Sequence, residues 1–254
     1  MSVTSIDVPP LWEGPLPPLG TVAKMIDHSL LRPELTRAEV AAGLATATAY
    51  GTASVCVRPA DVAAAAAELG GTGVAVGTVV AFPHGSTTTA AKVFETREAV
   101  SLGAQEIDMV INIGRLRAGE VSYVQDEIAA VVAASASCPV KVIFENSYLT
   151  DEEKAAGYRA AEVAGAAYVK TSTGFASGGA TAADIALMRL TVSPSVHVKA
   201  AGGVRTLDAL LALHHLGATR FGATATAAIL DDLAHRLNGN GPLALDAGLA
   251  PTGY

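Results

Sequence analysis

Eight short runs rich in valine, isoleucine and alanine punctuate the chain, and each is followed by a stretch suited to a helix. They fall at residues 22–26, 54–57, 74–81, 106–112, 140–144, 167–170, 196–200 and 220–222. Each is nearly continuous in apolar character. That is the pattern of a strand buried on both faces of a parallel sheet. The runs start roughly 20 to 35 residues apart, the length of one strand–helix unit. Eight such units in 254 residues predict an α/β protein built as a single closed (β/α)8 barrel, a TIM barrel. An open doubly wound sheet is the structural alternative. It more often shows a glycine-rich turn after its first strand, where this chain reads Ile26-Asp27-His28-Ser29.

The stretches between the runs carry helix signals. Thr36 stands three residues before Glu39, and Thr150 three before Glu153, the spacing of a capping box. Residues 61–69 are mostly alanine, the strongest helix former. Thr181 and Thr206 are expected to cap two later helices. Residues 1–20, with Pro9, Pro10, Pro15, Pro17 and Pro18, read as an extended N-terminal arm. Residues 21–238 then form the barrel, and 239–254 a flexible tail.

Composition narrows the function. Half the residues are hydrophobic and 16% are charged, enough apolar material for a large core. The net charge is -7 and no basic tract stands out, which argues against nucleic acid as a partner. A few local donors still suffice to hold one phosphate. The longest low-charge region, residues 62–83, is interrupted by Glu68, Gly70, Gly71 and Gly73, so no membrane span is expected. The N-terminus lacks the basic start and apolar run of a signal peptide. Cys56 and Cys138 lie far apart, without metal-type spacing, and fit a reducing, cytoplasmic setting. The six histidines form neither HxH nor HExxH, so no metal site is expected.

Barrels of this kind build their active sites where the strands end. Asp27 closes the first run, and Cys56 lies in the second. Asp108 lies in the fourth run, Lys141 in the fifth, Lys170 ends the sixth, and Lys199 lies in the seventh. Charges in buried strands are costly unless paired or used. Lys170 and Lys199 fall on neighbouring strands, about 4.8 Å apart. Repulsion and burial both favour the neutral amine. A neutral lysine attacks carbonyls and forms an imine, and Asp108 would relay the protons that imine chemistry requires. Position alone leaves a second reading open, in which a lysine snorkels to solvent or pairs with Asp108 for structure. Asp27, Lys141 and Glu145 would orient those groups, bind substrate hydroxyls, or complete a buried polar network. Cys56 reads as a small core residue more than a nucleophile. Gly202 and Gly203 follow the seventh run and Gly222 ends the eighth. Glycine lets backbone N–H groups approach a phosphate, with Thr224 and Arg205 at hand. Tight turns are the alternative use.

The motifs then resemble one family. Ile26-Asp27-His28-Ser29-Leu30-Leu31, Val55-Cys56-Val57-Arg58-Pro59 and Glu106-Ile107-Asp108-Met109-Val110-Ile111-Asn112 are similar to those of the deoxyribose-phosphate aldolases. So are Lys141-Val142-Ile143-Phe144-Glu145 and Val169-Lys170-Thr171-Ser172-Thr173-Gly174-Phe175. Val198-Lys199-Ala200-Ala201-Gly202-Gly203-Val204-Arg205 completes a match that runs in order from about residue 24 to 230. The resemblance implies a class I aldolase that works without metal or organic cofactor. Its reaction would be the reversible cleavage of 2-deoxy-D-ribose 5-phosphate to glyceraldehyde 3-phosphate and acetaldehyde. By the same resemblance Lys170 is the Schiff-base lysine, Lys199 depresses its pKa, and Asp108 shares in proton transfer. Gly174, Gly202, Gly203 and Gly222 match positions around the substrate phosphate, with Arg205 and Thr224 beside them. Asp27, Ser29, Cys56, Lys141 and Thr173 complete the implied substrate-binding set.

Two departures bear on phosphate affinity. Ala223 and Ala225 follow Gly222 where family members commonly place serine, and Phe175 stands where some place lysine. Tyr254 ends the tail, and a terminal tyrosine reaches the active site in some members. Two other functions remain alternatives: a Schiff-base aldolase with a different acceptor, and a sugar-phosphate-binding barrel without chemistry. A homo-oligomer, with a dimer foremost, is the expected assembly.

Overall fold

The computed structural model describes residues 12–243. Eight parallel strands close in chain order into one barrel. They are β1 (Ile26–Leu30), β2 (Ser54–Val57), β3 (Ala75–Val80), β4 (Glu106–Val110), β5 (Val140–Ile143), β6 (Tyr168–Lys170), β7 (His197–Ala201) and β8 (Arg220–Ala223). β8 returns to β1 through the partners Asp27 and Gly222. Among the described residues ten α-helices surround this wall. They are α1 (Leu19–Ala23), α2 (Arg37–Tyr50), α3 (Val62–Leu69), α4 (Thr89–Ser101), α5 (Ile113–Arg117), α6 (Val121–Ala134), α7 (Asp151–Val163), α8 (Ala182–Thr191), α9 (Leu207–His215) and α10 (Thr226–Leu237).

Local chemistry sets these elements. Both capping boxes form: Thr36 and Glu39 close the start of α2, and Thr150 and Glu153 that of α7. Thr181 and Thr206 cap α8 and α9 through their hydroxyls. Gly51, at φ 66°, terminates α2 in the left-handed conformation that glycine adopts without penalty. The main apolar core lies between strands and helices. Val55, Ile107, Val142, Val169 and Val198 from the strands are fully buried there against Leu44, Ile128, Ile185 and Leu210 from the helices.

The first strand departs from the sequence reading. Residues 22–26 were expected to extend, but Val22 and Ala23 belong to α1 and β1 begins at Ile26. Both residues are buried in α1, and an apolar run this short does not distinguish a buried helix from a strand. Asp27 therefore lies at the second position of β1, deep in the barrel, and not at its C-terminal end. Leu19 and Gly20, assigned to the arm, also belong to α1. Residues 12–18 carry no regular element; the Trp12 backbone N–H donates to Asp208 on α9 at 2.9 Å. Tyr254 lies outside the described residues.

Candidate active site

Strand register brings the charged residues together. Lys170 is the partner of Lys199, Asp108 of Lys141, and Lys141 of Tyr168. In a strand, residues two apart share a face. Glu106 and Asp108 thus point the same way, as do Tyr168 and Lys170. Bulky apolar layers ordinarily fill the inside of such a barrel; here an ion network runs through it.

The network centres on Asp108, which is fully buried. Its Oδ2 accepts from Lys170 Nζ at 2.7 Å and from Lys199 Nζ at 2.6 Å, while its Oδ1 accepts from Lys141 Nζ at 2.8 Å. Lys199 Nζ also donates to Asp27 Oδ2 at 2.5 Å. Ser54 Oγ and Arg220 Nη1 donate to Asp27 Oδ1 at 2.7 and 2.6 Å. Lys141 reaches further, to Glu106 Oε2 at 2.6 Å and Asp27 Oδ2 at 3.3 Å.

Charge separates the two lysines that sequence position had treated alike. Burial lowers the Lys170 pKa; Asp108 opposes that shift and Lys199 adds to it. Burial also disfavours charge on Lys199, but the carboxylates of Asp108 and Asp27 outweigh it and raise the pKa. The two lysines thus shift in opposite directions, Lys170 toward the neutral amine and Lys199 toward the ammonium. Burial works against ionised Asp108, yet Lys141, Lys170 and Lys199 hold its carboxyl well below the usual range. Burial pushes the Cys56 thiol up to about 12, and Cys56 packs with Leu31 and Val79. That suits an apolar wall, not a nucleophile.

The loop after Lys170 is held from β5. Glu145 takes the left-handed conformation at φ 55°. Its Oε2 accepts from the Thr173 backbone N–H at 3.2 Å and makes a short hydrogen bond with the Thr173 hydroxyl. The Phe175 N–H donates to the Thr173 hydroxyl oxygen at 3.0 Å, and the Phe175 ring meets Phe82 edge-on at 5.2 Å. This loop and the one after β7 are joined backbone to backbone, with Ala180 N–H donating to Gly202 O at 3.0 Å.

Beside this cluster lies a small pocket lined by Ser29, Gly202, Gly203, Arg205, Gly222 and Thr224. It lies at the N-terminal ends of α9 and α10, and Ala225 at the cap of α10 provides no side-chain hydrogen bond. Helix N-terminal N–H groups attract anions. Of the implied substrate-binding residues, Asp27 and Lys141 are buried in the ion network, Thr173 and Gly174 shape the β6 loop, and the rest except Cys56 line this pocket. A larger cavity, about 390 Å³, opens at the opposite end of the barrel, around Gly71 and Gln105. No titratable side chain lines it.

Sequence position did not single out Glu106, Tyr168 or Arg220. Their signal was the two-residue period: Glu106 precedes Asp108 by two, Tyr168 precedes Lys170 by two, and Arg220 precedes Gly222 by two.

A closed (β/α)8 barrel with three buried lysines gathered on one aspartate has the groups of a lysine-dependent, imine-forming aldolase. Residues 21–232 match the DeoC/LacD family of aldolases, and the chain belongs to that family. A deoxyribose-phosphate aldolase of Streptococcus suis is 52% identical over 208 residues, covering 82% of this chain and 94% of the relative. A candidate deoxyribose-phosphate aldolase from Coccidioides immitis superposes with a TM-score of 0.84 at 38% identity, covering 91% of this chain and 92% of that one. A deoxyribose phosphate aldolase from Aeropyrum pernix, described as tetrameric, gives 0.80 at 25% identity, covering 85% and 92%.

Proposed function

We propose that the chain catalyses reversible aldol cleavage of 2-deoxy-D-ribose 5-phosphate through an imine on Lys170. The observation that carries this reading is the shared carboxylate. Lys170 and Lys199 both reach Asp108 Oδ2, and only Lys170 is shifted toward the neutral amine. The neutral Lys170 nitrogen attacks the aldehyde carbon of the open-chain sugar. The carbinolamine accepts a proton and loses water, leaving a protonated imine. Removal of the proton from the C3 hydroxyl then breaks the C2–C3 bond, and its electrons flow into the iminium to give an enamine. Glyceraldehyde 3-phosphate departs, the enamine carbon takes a proton, and water releases acetaldehyde and free Lys170. Asp108, held by Lys141 and Lys199 and within hydrogen-bond reach of Lys170, would pass these protons directly or through one water.

The pocket of Ser29, Gly202, Gly203, Arg205, Gly222 and Thr224 would receive the phosphate, with N–H groups from two helix starts and one guanidinium. Ala225 adds no hydroxyl there, and Phe175 adds no charge. The same reading takes in residues 21–238 as the catalytic unit, a homodimer as the assembly and the cytoplasm as the location. Cys56 and Cys138, both unpaired, suit a reducing compartment.

The test is to incubate the protein with acetaldehyde and sodium cyanoborohydride and map the adduct by peptide mass spectrometry. An N-ethyl group on Lys170 is expected. An active, folded sample with no adduct there removes the imine reading. Turnover on 2-deoxyribose 5-phosphate well above that on ribose 5-phosphate or hexose phosphates separates this reading from an aldolase with another acceptor.

A further inference from the structure

The ion network does not stop at the reacting lysine. It continues from Asp108 down the inside of the barrel to a layer formed by the first residues of three strands. Glu106 begins β4, Tyr168 begins β6 and Arg220 begins β8. Arg220 Nη1 lies 2.6 Å from Asp27 Oδ1 and 3.2 Å from Glu106 Oε1, with its guanidinium carbon 5.5 Å from the centre of the Tyr168 ring. Lys141 ties this lower layer to the upper one by touching Glu106, Asp27 and Asp108 at once. Neither Glu106 nor Arg220 contacts Lys170 through any hydrogen bond or ion pair found among the described residues.

Charge balance gives this lower layer a consequence. Leaving Lys170 aside, the network among the described residues sets three carboxylates, Asp27, Glu106 and Asp108, against three cations, Lys141, Lys199 and Arg220. The salt-bridged set is neutral without Lys170, which is only 3% exposed, so a change of charge within the set bears directly on the Lys170 proton; the Glu145 carboxyl, outside the set, is the one further carboxyl among the described residues that faces it. Unmatched buried charge is disfavoured. We propose that Glu106 and Arg220, at the far end of the barrel, are positioning residues that set this balance and so keep an uncharged amine on Lys170. They act through Lys141 and Asp27, the groups that hold Asp108 and Lys199. The charged and titratable groups facing Lys170 itself are Asp108 from β4, Lys199 from β7, Cys56 from β2 and Glu145 after β5.

The proposal fixes two shifts of opposite sign. Arg220→Met removes a cation, leaves the network net negative and favours the protonated Lys170. Glu106→Gln removes an anion, leaves it net positive and favours the neutral amine further. The readout is the rate at which acetaldehyde and cyanoborohydride modify Lys170, followed against pH. Acetaldehyde does not titrate, so the acid limb of this profile reports the protein. The limb should move to higher pH in Arg220→Met and to lower pH in Glu106→Gln. Each shift should be on the order of one pH unit, the effect of a unit charge about 10 Å away at an effective dielectric near 20. Arg220→Lys, which keeps the charge, and the double variant Glu106→Gln/Arg220→Met, which restores the balance, should both return the limb close to that of the unmodified protein. Glu106→Gln is nearly isosteric and carries the test alone if Arg220→Met does not fold.

The inference rests on Lys170 as the imine lysine, and the two ideas fail differently. No modification of Lys170 in the unmodified protein removes both. Modification of Lys170 with limbs that stay in place, or that move in the same direction in both variants, overturns the charge-balance role and leaves the imine reading standing.

Discussion

Lys170 shows how one residue's chemistry depends on which partners its neighbours keep. Its amine and that of Lys199 meet the same Asp108 oxygen, yet Lys199 also holds Asp27 and Lys170 does not. Burial is the largest influence on Lys170 and drives it toward the neutral form. Because the neutral amine is the nucleophile, turnover should rise with pH through that lowered pKa and fall as acid restores the proton. Lys170→Ala should cost roughly a thousandfold or more in kcat, as expected when a group of one catalytic unit is removed. Its circular dichroism and thermal midpoint should stay near those of the parent. Activity within tenfold of the parent would take Lys170 out of the mechanism. The candidate lysines were legible in the sequence because charges in apolar runs stand out. Their division of labour was not, because it depends on Asp27, whose depth in the barrel followed from a strand that starts four residues later than the apolar run did.

Elements position these side chains, and their own stability comes from short-range signals. Thr150 accepts from the Glu153 N–H and Glu153 from the Thr150 N–H, which fixes the start of α7 behind β5. Thr150→Ala should lower stability by about 1 kcal/mol in denaturant titration and leave kcat unchanged. The loops carry a sharper constraint. A side chain at Gly179 would run into the Gly202 carbonyl, which lies where the β6 and β7 loops join. Gly179→Ala should therefore push the Gly202 loop out of place and raise KM for the phosphorylated substrate by about tenfold, the effect of losing roughly 1.4 kcal/mol of binding. Acetaldehyde modification of Lys170 should be little affected. An unchanged KM would separate the glycine pocket from phosphate binding. Caps of this kind can be read directly from sequence, since Thr-x-x-Glu states its geometry within one turn. Loop-to-loop contact cannot, because Gly179 and Gly202 meet only after two strands have been placed side by side.

At the scale of the molecule, the barrel exchanges the usual apolar filling for a salt-bridged interior, and Lys141 joins its two layers. Eight apolar runs were enough to indicate the closed barrel. The interior network emerges only when strand register sets Lys141 opposite Asp108 and Tyr168. Burial disfavours the Lys141 ammonium, but Asp108, Asp27 and Glu106 raise its pKa well above the ordinary lysine value. Burial equally disfavours ionised Asp27, yet Lys141, Lys199 and Arg220 hold it below the usual carboxylate range. Lys141→Met fills the same space without the charge and leaves three buried carboxylates short of a partner. Removing one member of a buried pair costs about 3–5 kcal/mol, and that loss should appear at pH 7. The sign of its pH dependence follows from linkage. Carboxylates with depressed folded-state pKa values stabilise the fold above about pH 4, and that contribution fades as pH falls through the folded values. In Lys141→Met the Asp27 and Asp108 values rise and these two carboxylates protonate more readily, so the deficit relative to the parent should shrink toward acid pH. Denaturant titrations of both proteins at pH 7 and near pH 4 measure this directly. A deficit of equal size at the two pH values would mean that Lys141 contributes packing alone and that the barrel does not depend on its buried charges.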